Sequence, residues 1–314
     1  MDIDDKYSPF YFARDYGETP IESRPGWIRR VSAVNMAGCG DVSLELLGKP
    51  AITAPNGYGK TVLLTLSWAL YDLVSTGRPT VLYGMLRNPD GSCSRLFDKF
   101  SMVLADGSAY SLSIVGDSYM LSGTGGESLV EASAVSDGNP PSTEVRGGCV
   151  AMLSSTRGNR PGDIVYGLLS LSEGDFDRKF INRWYSILFS CTEPDAPESE
   201  WDMKMDGIPY ERSVARGEMS ARLTRWIGER RFSFGEMQML FQLSAMSGKL
   251  DVLLVDNAEI GLHPSVQMNY MALLAECYRR GTQVIFSTNS PEMFDCKWRY
   301  SNDLWSLTHP SSVH

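Results

Sequence analysis

Three features of the sequence predict an α/β fold organised around a phosphate-binding loop, with a mixed sheet and an inserted α+β lobe. Strand-like and helix-like segments alternate at both ends of the chain. A glycine-rich octet, Ala54-Pro-Asn-Gly-Tyr-Gly-Lys-Thr61, follows a short apolar strand and opens a helical segment. Two continuous apolar runs, Val252–Val255 and Gln283–Ser287, flank one helical segment, as buried parallel strands do.

Taken in order, residues 1–26 are polar and rich in Pro and Gly, and read as an N-terminal arm. Ile28–Val34 and Val42–Leu46 read as strands around a Gly38–Gly40 turn. Pro50–Thr53 is a short strand, and Thr61–Val74 has helical spacing, with Leu63, Leu66, Leu70 and Val74 on one face. Lys99–Leu104 and Tyr110–Val115 flank Asp106-Gly107, a hairpin-turn signal. Gly, Ser, Asn and Pro dominate Ser122–Gly148, which reads as a long loop. Asp175–Cys191 carries Phe176, Phe180, Trp184 and Leu188 at intervals of four, the pattern of an amphipathic helix. Residues 192–206 read as a second, acidic loop. Glu236–Ser247 is helical with Gly248 as its C-cap, and Pro264–Arg280 is a crossover helix. The expected organisation is the arm 1–26, a core made of 27–94 and 231–308, and an inserted lobe at 95–230.

Composition excludes several classes. A chain of 314 residues, at ~150 residues per domain, corresponds to one or two domains with a sizeable core. Hydrophobic residues at 43% and charged residues at 21% rule out a disordered or collagen-like protein. No apolar run reaches the ~20 residues of a membrane helix, and Met1–Asp5 lacks the basic and apolar regions of a signal peptide. The expectation is a cytoplasmic protein with no membrane partner. The net charge of −9 resides in two stretches: residues 1–22 carry −4 and residues 192–206 carry −5. DNA contact is possible through the cluster Arg212, Arg216, Arg222, Arg225, Arg230 and Arg231, but the net charge does not support it. The same arginines also suit a solvated helical face. Six cysteines without a CxxC pair, and three histidines, give no zinc-site spacing.

The octet carries the main chemical signal. Gly57 and Gly59 let backbone N–H groups approach a phosphate, and a helix N-terminus adds partial positive charge. Lys60 would reach the β- and γ-phosphates, and Thr61 would place its hydroxyl on Mg²⁺. Asn56 and Tyr58 complete the phosphate-facing loop. Its first position, normally Gly, is Ala54. The run Val252–Asp256 delivers Asp256 at the C-terminal end of a buried strand, where it would support the metal. Ser233-Phe-Gly-Glu236 opens a helix, and Ser233, Gly235 and Glu236 suit both an anion and a capping box.

These motifs, with Leu262-His-Pro264 and Ser287-Thr-Asn-Ser-Pro291, resemble as a set the soluble ABC-type ATPases. That group includes the structural-maintenance-of-chromosomes proteins, the recombination-mediator ATPases and the overcoming-lysogenization-defect nucleases. The chain also resembles compact AAA-family ATPases that accompany effector genes in bacterial anti-phage systems. The resemblance implies an ABC-type nucleotide-binding domain that binds ATP and Mg²⁺. It further implies a homodimer with ATP sandwiched between the P-loop of one protomer and the Ser233–Glu236 signature of the other.

The sequence departs from the family at three hydrolytic positions. Asn257 stands where the family carries the glutamate that activates water, and Asn289 stands where it carries the switch histidine. The family's Mg²⁺-sensing glutamine is missing, since no Gln precedes Gln238. Glu259 is a candidate substitute base, and His263 either meets the opposite nucleotide site or simply starts a helix. Loss of a general base costs ~10²–10⁴-fold, so the chain is at most a slow ATPase. The expected function is an ATP-dependent dimerising switch that regulates a partner, an effector or toxin-like protein, with weak or absent hydrolysis. The alternative is an active ABC-type ATPase acting on DNA in repair or antiviral defence.

Overall fold

The computed structural model describes residues 23–47, 51–79, 81–82, 86, 88, 92–123, 126–130, 149–154, 180, 183–184, 187–188, 239, 242–243, 245–290, 293 and 305–306. The elements within them are β1 (Ile28–Met36), β2 (Gly40–Glu45), β3 (Ala51–Thr53), α1 (Lys60–Thr76), β4 (Lys99–Leu104), β5 (Ala109–Val115), β6 (Ser118–Gly123), β7 (Gly126–Val130), β8 (Val150–Ser154), β9 (Val252–Asp256), α2 (Pro264–Arg279), β10 (Gln283–Ser287) and β11 (Trp305–Ser306).

Two sheets form. The first is antiparallel, in the order β2-β1-β4-β5-β6-β7. The second has the order β11-β3-β10-β9-β8, and its β11, β3, β10 and β9 run parallel. The strand sequences follow from this difference. β1 buries only Ile28, Val31, Ala33 and Met36, with register shifts between Ile28 and Arg30 and between Ala33 and Met36, whereas β9 and β10 are buried at every position.

α1 begins after Gly59, which has φ 81°, and stops at Gly77, whose φ of 69° lets its N–H reach the Leu73 carbonyl at 2.8 Å. Leu63, Leu66, Leu70 and Leu73 are buried along it, and it packs against β9, β4 and β5. Each leucine contributes about 1.5–3 kcal/mol by leaving water. They share one apolar cluster with Ile28, Val31, Phe100, Leu112, Leu121 and Leu254.

Two compact units emerge. One holds Tyr16–Met152, Leu250–Ala258 and Ala275–His314, and so nearly all of both sheets and the whole of α1. The other holds Met1–Asp15, Leu153–Lys249 and Glu259–Leu274. Within the second unit Phe180, Trp184 and Leu188 are buried on helical residues, as the four-residue spacing predicts. There Tyr270 donates its hydroxyl to Gln242 Oε1, and Asn269 Nδ2 donates to the Ile187 carbonyl at 3.2 Å.

The structure corrects one part of the sequence reading. The sequence reads Ser122–Gly148 as a loop, yet its first part completes β6 and forms β7, with Leu121 opposite Ser128 and Gly123 opposite Gly126. Gly and Ser conceal the alternation that pairs this strand. The strands β4–β7, which the sequence reading places in the inserted lobe, share a sheet with β1 and β2. Most of that loop (131–148), the acidic stretch 192–206 and the arginine cluster lie outside the described residues.

Candidate functional site

β3 ends at Thr53, and the segment Ala54–Gly59 turns the chain into α1. Gly57 and Gly59 have φ of 83° and 81°, a region open to glycine at no steric cost. Ala54 is buried and does not adopt positive φ, so the loop's first position tolerates its methyl group. No side chain caps the helix start, and the first turn holds no acid. The unsatisfied N–H groups of a first turn attract an anion.

The loop rests on the β1–β2 turn. A Cβ on Gly59 would lie 2.7 Å from the Ala37 carbonyl oxygen, and a Cβ on Gly38 would collide with the Gly57 carbonyl. Asn35, itself at φ 53°, steadies that turn by donating its N–H to Asp41 Oδ1 at 2.8 Å. The sequence marks Gly38 as a turn residue, but no local signal says that the turn abuts residues 57–59.

Lys60 is 94% buried, being only 6% exposed. Its ammonium donates to the carbonyl oxygens of Ala54 and Pro55 and to Asn289 Oδ1, the last at 3.0 Å. Asn289 also donates from Nδ2 to Asn56 Oδ1 at 3.3 Å. Thr61 donates its hydroxyl to Asp256 Oδ2 at 2.8 Å, and Ser287 donates to Asp256 Oδ1 at 2.8 Å. Asn257 donates its N–H to Ser287 Oγ at 2.8 Å and its Nδ2 to Asp256 Oδ2 at 3.3 Å. Burial pushes the Cys39 thiol up, so no reactive thiolate sits under the loop.

The structure therefore brings Asn56–Thr61, Asp256, Asn257 and Asn289 together. A cavity of about 350 Å³ opens there, lined by Ala37, Gly38, residues 56–62 and Asn257. Glu259 starts a turn that closes on itself, Leu262 N–H donating to its carbonyl at 3.1 Å. The His263 carbonyl accepts from the N–H groups of Val266 and Gln267 at 2.8 and 3.3 Å, so its backbone serves the start of α2. Ser233, Gly235 and Glu236 lie outside the described residues.

The donor set fits a magnesium nucleotide. Space is open beyond Gly57, since a Cβ there would meet nothing within 4 Å. One hydroxyl, from Thr61, and one carboxylate, from Asp256, suit Mg²⁺, which takes few protein ligands beside phosphate and water. Lys60 and the α1 start would hold phosphate. Mg²⁺ held by Thr61 and Asp256 would supply charge neutralisation for the phosphates. Ser287 and Asn257 orient Asp256 by donating to both of its oxygens.

Residues 172–295, less than half of the chain, match the family described as "AAA domain, putative AbiEii toxin, Type IV TA system". No curated protein matches. Among solved structures, the chain is similar to the SMC head domain from Thermotoga maritima, with 14% identity, 90% of this chain and 95% of that chain covered, and a TM-score of 0.46. An SMC head bound to the C-terminal winged-helix domain of ScpA matches at 11% identity, 89% and 93% coverage, and a TM-score of 0.45. The ADP conformation of an ATP-binding cassette from an ABC transporter matches at 13% identity, 88% and 86% coverage, and a TM-score of 0.40. The backbone of residues 54–61 has the geometry of a P-loop between a strand and a helix, and residues 172–295 are similar to an AAA domain. Among the described residues, no helix is long and apolar enough to cross a membrane.

Proposed function

Starting from a compact P-loop ATPase fold of the ABC/AAA type, we propose that this protein is a nucleotide-dependent switch. It binds Mg-ATP through Lys60, Thr61, Asp256 and the backbone of residues 57–60. It pairs with a second copy across the nucleotide, hydrolyses slowly, and passes its state to a partner protein. An N-terminal arm at 1–26 and a cytoplasmic setting belong to the same proposal, as does a core joined from both ends of the chain that takes in β4–β7 beside β1 and β2.

One observation carries this reading. Asn257 occupies the position after the metal-supporting Asp256, and its amide is committed to the Asp256 carboxylate at 3.3 Å. An amide cannot take a proton from water as a carboxylate does. The groups that hold phosphate and metal are meanwhile assembled, with Thr61 on Asp256 at 2.8 Å. Binding is thus better equipped than turnover. A protein that binds and barely hydrolyses acts through its bound state. The partner in this reading is an effector or toxin-like protein, and the match of residues 172–295 to a family described as part of a type IV toxin–antitoxin system supports a role in a system of that kind.

The test is to measure ATP binding and hydrolysis separately on the purified full chain, with and without Mg²⁺ and with and without DNA. Submicromolar to micromolar binding, turnover well below ~1 s⁻¹ and a mass increase with Mg-ATP are expected. Rapid DNA-stimulated turnover would replace this reading with an active ATPase working on DNA.

A further inference from the structure

We propose that Asn289 is a latch on the P-loop: it holds the Lys60 ammonium against the loop's own carbonyls, and phosphate must displace it. This inference rests on the nucleotide-binding reading above.

The argument begins with the donor count. A lysine ammonium has three N–H groups and no acceptor. Lys60 Nζ donates to three oxygens: those of Ala54, of Pro55 at 3.2 Å, and of Asn289 at 3.0 Å. Its side chain lies inside the protein, and its charge is accommodated because every N–H has an acceptor. A phosphate oxygen can gain Lys60 only by taking the place of one of these three.

The three are not equally replaceable. Ala54 and Pro55 belong to the loop itself and lie six and five residues before the lysine, so their carbonyls move only if the loop rebuilds. Asn289 lies 229 residues away, is exposed, and reaches in with a side chain that rotates about two bonds. A neutral amide oxygen is also a weaker acceptor than an ionised phosphate oxygen. Asn289 is therefore the partner that gives way.

Release has a second consequence. The Asn289 side chain spans two parts of the loop, accepting from Lys60 and donating from Nδ2 to Asn56 Oδ1 at 3.3 Å. It is fixed to the end of β10 through Thr288, whose N–H donates to the Ile52 carbonyl at 3.2 Å and whose hydroxyl accepts from the Ser290 N–H at 3.0 Å. Two residues earlier Ser287 holds Asp256. A single short segment, Ser287–Ser290, thus touches both the lysine and the metal-supporting carboxylate. Displacing the amide at 289 frees one end of that segment while Ser287 keeps the other in place. The segment is then the element that reports phosphate occupancy.

An experiment on the full-length protein reads the latch without nucleotide. Lysine acylation by an amine-reactive ester is followed by mass spectrometry of the peptide containing Lys60, in wild type, Asn289→Ala and Asn289→Asp. In parallel, binding of a fluorescent ATP analogue with Mg²⁺ is measured by stopped flow. Asn289→Ala should raise Lys60 labelling at least threefold and strengthen analogue binding three- to tenfold, mostly through faster association. Asn289→Asp, which offers the lysine an ionised partner and the phosphates a like charge, should slow labelling and weaken binding at least tenfold. Lys60 labelling at the wild-type rate in both variants would overturn the latch. So would weaker analogue binding in Asn289→Ala, because the amide would then be a phosphate ligand. Labelling that responds as expected in a protein that binds no analogue would keep the latch and defeat the nucleotide reading instead.

Discussion

The Gln283 carboxamide pairs with both backbone polar groups of Ile28, accepting from its N–H at 2.6 Å and donating to its carbonyl at 2.7 Å. A side chain of the parallel sheet thereby acts as a short extra strand for the start of the antiparallel sheet. Both residues are buried, so neither group of Ile28 can turn to water. Gln283→Leu should lose about 2–6 kcal/mol, because two buried groups become unsatisfied at about 1–3 kcal/mol each. Urea unfolding gives the value. Gln283→Glu should be worse at pH 8 than at pH 5, since only the protonated acid can donate to the Ile28 carbonyl. A pH-independent loss would argue against the paired arrangement.

The packing of the β1–β2 turn against residues 57–59 predicts that Gly38 matters for nucleotide binding. Gly38 has φ 93° and no room for a methyl group beside the Gly57 carbonyl. Gly38→Ala and Gly59→Ala should both weaken nucleotide binding by more than tenfold while costing about 1–3 kcal/mol of stability, the range for strained backbone positions. Gly107→Ala is the control: its φ of 89° carries strain but its surroundings are open, so stability should fall and binding should not. Calorimetric titration with Mg-ATP distinguishes the three.

Asn257 lies at φ 50°, a conformation asparagine tolerates and glutamate does not favour. Placing a carboxylate there should not by itself give fast hydrolysis. Asn257→Glu gives up the amide bond to Asp256, sets a second negative charge beside it and meets a left-handed backbone at about 1–2 kcal/mol. Stability should drop by about that much, and single-turnover hydrolysis should rise by less than tenfold. A hundredfold rise would mean that the missing carboxylate was the sole defect.

Removing the strongest phosphate-binding charge separates binding from assembly. Lys60→Ala should abolish detectable ATP binding, and with it any mass increase in sedimentation with Mg-ATP. Thr61→Ala should act differently, weakening Mg²⁺-dependent binding about tenfold and leaving metal-free nucleotide binding little changed, since its hydroxyl sits on Asp256. Equal losses with and without Mg²⁺ would remove Thr61 from the metal's ligands.

Burial pushes the Asp72 carboxyl up to about 6 from an ordinary 3.8. A folded-state value above the unfolded one favours the folded protein at low pH, and the benefit is lost as pH rises through about 6. Asp72→Asn should therefore stabilise the protein at pH 7–8 by about 1 kcal/mol, a value discounted for the group's partial exposure. The gain should vanish below pH 4. Thermal melts of both proteins across pH 4–8 would show it, and a gain that persists at pH 4 would assign the effect to something other than the charge.

The sequence alone determined what short-range physics encodes. The octet at 54–61 announces its loop because positive φ selects glycine at 57 and 59, and the helix that follows announces itself through leucines at helical spacing. β9 and β10 were legible as continuous apolar runs, which only strands buried on both faces can carry. The placement of Lys60 and Thr61 at the start of α1 and of Asp256 at the end of β9 was legible for the same reason. The tertiary structure alone decided the joins. β7 hid behind Gly and Ser, because a strand's identity there comes from its partner β6 rather than from its own residues. The support of residues 57–59 by the Ala37–Gly38 turn, the Gln283 bridge to Ile28 and the reach of Asn289 to Lys60 join segments 20 to 255 residues apart. Local propensity acts over a few residues, whereas such contacts exist only once strand pairing has brought the segments together.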